Sequence, residues 1–132
     1  MIMTWPKATS LVVIIIGFAS CKQIDPSNQL TFQVTNKAKE TIDYLSFSTT
    51  KGQGKTVNYA VPKDATVNVN FDFDQIDKTD GGYQLTYKLA SSTDTLIEHF
   101  GYYTNGYPTE KALVLKVYSD SISVDRIPFS SY

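Results

Sequence analysis

The sequence carries one cysteine, one tryptophan and one histidine in 132 residues. A lone cysteine has no intramolecular disulfide partner, so a disulfide framework is excluded. A lone histidine, His99, leaves a zinc site short of the three or four His, Cys or carboxylate ligands it takes. A Ser-His-Asp triad would have to use His99, no Gly-x-Ser-x-Gly elbow accompanies it, and on a strand it reads as a surface or half-buried residue. Charge of one sign is also missing. Twelve basic residues face thirteen acidic ones, for a net charge of −1, which excludes the basic surface that nucleic acid requires. Residues 21–132 hold no apolar pattern at helical spacing over three turns, no internal repeat and no low-complexity tract. No enzyme and no cofactor are expected from such a chain.

What is present begins with Leu11–Cys21, Leu-Val-Val-Ile-Ile-Ile-Gly-Phe-Ala-Ser-Cys. Lys7 precedes a charge-free apolar run, Leu11–Phe18, and the small residues Ala19 and Ser20 follow it. A basic start, an apolar run of about 7–15 residues and a small-residue cleavage site make a secretory signal peptide. The run is shorter than the about 20 residues a membrane-spanning helix needs. The tetrad Phe18-Ala19-Ser20-Cys21 resembles the lipobox of bacterial lipoproteins, with Phe18 where that family prefers leucine. The resemblance implies a diacylglyceryl group on the Cys21 thiol, cleavage before Cys21 and acylation of the new amine. Lys22 follows in place of the aspartate that retains some lipoproteins in the inner membrane, which favours the outer membrane. Two or more acyl chains give stable anchoring where one gives only reversible binding. The organisation expected is a signal peptide over 1–20, a lipidated tether over 21–28 and one domain over 29–132.

Within that domain the apolar period is two. Leu30, Phe32 and Val34 alternate with polar residues. A second strand over Thr41–Ser48 slips phase at Tyr44-Leu45, the mark of a bulge or of burial on both faces. Val57, Tyr59 and Val61 form one face of a third strand, stopped by Pro62. Val67, Val69, Phe71 and Phe73 oppose Asn68, Asn70, Asp72 and Asp74 without interruption. Tyr83, Leu85, Tyr87 and Leu89 make the fifth strand, and Leu96, Phe100 and Tyr102 share a face of the sixth, broken by Glu98. Leu113, Leu115 and Val117 give the seventh, and Ile122 and Val124 the eighth. Seven or eight short strands between turn signals predict an all-β, antiparallel β-sandwich, immunoglobulin-like or transthyretin-like in topology.

Two stretches carry functional candidates. Asp72, Asp74, Asp77 and Asp80 offer oxygens of the kind Ca²⁺ takes, but Ile76 breaks the spacing of a calcium loop, so a solvated strand face and a turn is the simpler reading. Phe100–Pro108 reads Phe-Gly-Tyr-Tyr-Thr-Asn-Gly-Tyr-Pro. Asn-Gly is the preferred two-residue hairpin turn. Tyrosine with Gly, Asn and Thr is also the composition of binding loops, because tyrosine presents a large amphipathic surface at low entropy cost. Tyr102, Tyr103, Asn105 and Tyr107 are therefore the candidate ligand-binding residues. The expected protein is a lipid-anchored, non-enzymatic binding or adhesion module of a Gram-negative-like envelope. Its membrane contact is the N-terminal lipid and its partner a glycan or an envelope protein. A periplasmic inhibitor or immunity protein, or a structural subunit of an envelope complex, is the alternative.

Overall fold

The computed structural model describes residues 28–129. The signal peptide, the lipobox with Cys21 and most of the tether fall outside the described residues. Nine strands build two facing sheets: β1 (Gln29–Asn36), β2 (Ile42–Thr49), β3 (Thr56–Val61), β4 (Thr66–Asp72), β5 (Gly81–Leu89), β6 (Leu96–Thr104), β7 (Tyr107–Pro108), β8 (Ala112–Val117) and β9 (Ile122–Ile127). One sheet has the order β4-β1-β8-β9 and the other β3-β2-β5-β6-β7. All pairings are antiparallel except β1 with β8, which run parallel. The fold is an antiparallel β-sandwich, as the alternating pattern requires. An immunoglobulin order would keep the first two strands in one sheet. Here β1 and β2 lie in opposite sheets, which leaves the transthyretin-like alternative.

Alternation explains which residues meet between the sheets. Leu30, Phe32 and Val34 of β1, Val69 and Phe71 of β4, and Leu113, Leu115 and Val117 of β8 are buried from one side. Leu45 and Phe47 of β2 and Tyr83, Leu85, Tyr87 and Leu89 of β5 are buried from the other. Phe32 is the hub. Its ring stacks on Phe47 at 4.1 Å and meets Phe71, Tyr83 and Phe100 edge-on. Edge-to-face pairs exploit the ring quadrupole and add about 0.5–1.5 kcal/mol each beyond burial.

Two departures from simple alternation shape the sandwich. The phase slip in β2 is a bulge: the pairing with β5 shifts between Ile42 and Tyr44. The neighbouring strand flips with it. Val57 and Tyr59 face outward while Val61 is buried, because Ala60 between them adopts a positive φ of 52°. The single face expected for Val57, Tyr59 and Val61 is thus corrected at Ala60. The second departure is in β6. Gly101, at φ 65°, forms a bulge against β5 that keeps both Phe100 and Tyr103 directed inward. Tyr102 consequently points away from the face of Leu96 and Phe100, not with it as alternation predicts. Only glycine serves at 101, since a Cβ there would sit 2.7 Å from the Tyr83 ring.

Candidate functional site

Asn105 and Gly106 both have positive φ, 51° and 71°, so β6 and β7 are joined by the expected two-residue turn. The turn is held from below by the loop before β5. Gly106 donates its amide to the Thr79 carbonyl at 2.9 Å, and Asn105 donates its amide to Asp80 Oδ1 at 2.8 Å. The Tyr102 hydroxyl donates to Asp80 Oδ2 at 2.9 Å. These bonds hold the Asp80 carboxyl below its usual range, the Asn105 amide first and the Tyr102 hydroxyl second. The same carboxylate raises the Tyr102 hydroxyl. Lys78 Nζ lies 4.1 Å from the centre of the Tyr107 ring, a cation–π contact.

The candidate tyrosines therefore part company. Tyr102 and Tyr107 stand 50% and 42% exposed on the hairpin, with Asn105 exposed at its tip. Tyr103 is 0% exposed: the Gly101 bulge turns it into the core against Phe73 and Tyr83, so it offers no surface to a partner. The four aspartates do not converge. Asp72 Oδ1 accepts from the Asp74 amide, Asp74 accepts from Asn28, the Asp77 amide is bound by Gln53, and Asp80 serves the hairpin. Among the described residues no group of three or more His, Cys, Asp or Glu could hold a metal ion. His99 points outward on β6, with its Nε2 3.0 Å from Gln84 Oε1.

Beside the hairpin the two sheets part. A cleft of about 400 Å³ opens between β6–β7 and β8–β9, lined by Gly101, Tyr102, Thr109, Glu110, Leu113, Val124 and Arg126. Glu110 is 3% exposed, an unusual place for a carboxylate unless it is paired. Its Oε1 is bound by the Arg126 guanidinium, which reaches in from solvent and is 69% exposed. Its Oε2 is buried without a hydrogen-bond partner in the protein. Behind it the hydroxyls of Tyr83 and Tyr103 are also buried and unpartnered. Burial raises the Tyr83 hydroxyl far above its ordinary range, with the Glu110 charge second and Tyr103 third. The third buried tyrosine, Tyr87, bonds the Tyr118 carbonyl at 3.3 Å, so of the three only Tyr83 and Tyr103 leave a hydroxyl unmet.

No protein-family model matches the chain, and no curated protein matches it. Among solved structures it is similar to an NMR structure of a protein from Eubacterium rectale, with a TM-score of 0.53 over 78% of this chain and 92% of that one, at 11% identity. The likeness is one of fold alone.

Sequence reasoning found the hairpin because Asn-Gly and clustered tyrosines are local signals. It missed Thr109, Glu110 and Arg126. Glu110 lies in a polar connection between strands, where a carboxylate is unremarkable until its burial is known. One signal was available: Arg126 is the only arginine in the chain, and arginine is the residue suited to a buried ion pair.

Proposed function

We propose that the chain is a lipid-anchored, non-catalytic binding module of a bacterial envelope, held at the outer membrane through Cys21, that takes a glycan or a protein at the hairpin end of its sandwich. The observation that carries this reading is the state of the hairpin. Two half-exposed tyrosines, Tyr102 and Tyr107, are pre-set by Asp80 and Lys78 next to an open cleft. Anchored aromatic surface binds at a lower entropic cost than mobile surface. The position of β1 fits the same reading. Gln29 starts at the hairpin end, and seven residues lie between it and Cys21. A chain of that length spans less than about 30 Å, so a lipid on Cys21 would keep the hairpin near the membrane surface.

The anchor is tested by labelling cells with radioactive palmitate. Label should enter the wild-type chain and be absent from Cys21→Ser; equal label in both, or none in either, refutes the anchor. The binding end is tested with Tyr102→Ala and Tyr107→Ala in glycan-array and pull-down assays. Both variants should stay folded and lose the partner. If both simply unfold, the hairpin is a structural turn and the reading fails. Recovery of one toxin or hydrolase in the pull-down would identify the protein as its inhibitor.

A further inference from the structure

We propose that the cleft between β6–β7 and β8–β9 binds one neutral sugar residue, with Glu110 as the acceptor of its hydroxyl protons and Arg126 as the movable counter-charge. The proposal deepens the binding reading above and rests on it. A volume of about 400 Å³ lies within the range of small-ligand pockets, about 300–1,000 Å³, and has room for a single sugar ring. The lining is mixed in the way a sugar is mixed. Leu113, Val124 and the Tyr102 side present apolar surface to a ring face, while Thr109, Glu110 and Arg126 present hydrogen-bonding groups to its edge.

The buried polar atoms select the class. A buried carboxylate oxygen without a donor is costly, because its desolvation is not repaid. Glu110 Oε2 is such an atom, and it lies in a neighbourhood with two further unmet hydroxyls, those of Tyr83 and Tyr103. Glu110 Oε2 lacks a hydrogen-bond donor, not a counter-charge, since Arg126 already balances the carboxylate. A cationic ligand would bring an unpaired charge into a partly dry cleft. A neutral polyol brings hydroxyl donors for the carboxylate, and acceptors for the phenols, without adding a charge. Arg126 is mostly in solvent, so it can turn aside from Oε1 and bond the ligand while the ligand takes its place on the carboxylate.

The test uses the whole isotope-labelled chain in detergent micelles, titrated with galactose, N-acetylglucosamine and, at pH 6, glucosamine. At millimolar concentrations at least one neutral sugar should give saturable amide shifts at Gly101, Thr109, Glu110, Leu113 and Arg126. Glucosamine should bind at least about tenfold more weakly. Glu110→Gln, made to keep the shape, should weaken the neutral sugar by about tenfold or more. Should that variant not fold, Arg126→Gln decides: it changes a mostly exposed residue and leaves Glu110 uncompensated, so preference should reverse toward glucosamine. Tighter binding of glucosamine by the wild type, no saturable shift with any of the three, or an unreversed preference in Arg126→Gln overturns the proposal. Shifts confined to Asn105 and Tyr107, or partner capture lost only in Tyr107→Ala, overturn the cleft as the sugar site and leave the hairpin reading standing.

Discussion

The two ends of the sandwich treat buried polar groups in opposite ways. At one end Asn36 is 0% exposed and fully employed. Its side-chain amide donates to the carbonyls of Glu40 at 2.9 Å and Val61 at 3.0 Å, and its Oδ1 accepts the Ala38 amide at 2.9 Å. Its backbone bonds Ala65 and Asp64. One side chain thus ties the turn after β1 to the end of β3. At the other end, about 23 Å away along the eight residues of β1, Glu110, Tyr83 and Tyr103 leave three polar atoms unmet. The first arrangement is what stability asks of a buried amide. The second costs stability, and it lies beside the open cleft.

The contrast can be broken by substitution, and the largest effect belongs to the paired end. Asn36→Ala strands two carbonyls and an amide and should cost about 3 kcal/mol, read from urea unfolding of the whole chain. A loss under about 1 kcal/mol would mean the network contributes little. Gly101→Ala comes next. A positive φ and a Cβ 2.7 Å from the Tyr83 ring should together cost about 2 kcal/mol and disturb Tyr83 and Leu113. Tyr103→Phe should act in the reverse direction, since it deletes an unpartnered hydroxyl and keeps the ring. A gain of about 1 kcal/mol in the same assay is expected, and a clear loss would show that the hydroxyl is satisfied after all. The smallest effect is a local one. Asp80 is held below its usual 3.8, so its contribution is present above that value and is lost as pH falls through the lower folded value. An acid titration followed by NMR should move the Asn105 amide and the Tyr102 ring below pH 3.8, ahead of the core signals.

Much of the fold was legible because alternation is a local property. Each strand expected from period two is present, and the faces of β1, β4, β5 and β8 carry the residues alternation assigns to them. The errors fall where one backbone torsion resets the phase. Ala60 and Gly101 each turn a strand by one residue, so Tyr59 and Tyr102 emerge where inward positions were expected. Gly101 could have been suspected, since a glycine inside a strand often marks a bulge. Alanine at positive φ carries no such mark. The tiny β7 was folded into the turn because two residues cannot display a period.

The sequence by itself determined the class of fold and the hairpin turn, because each follows from neighbours in the chain. It also carries the lipobox-like start, a signal read from contiguous residues. Tertiary structure alone decided that Tyr103 is core and not surface, and that Glu110 meets Arg126 across a cleft. Those residues are brought together by one strand of each sheet, β6 and β9, and by the connection between β7 and β8. A buried charge is defined by what surrounds it in space, and no spacing along the chain encodes that.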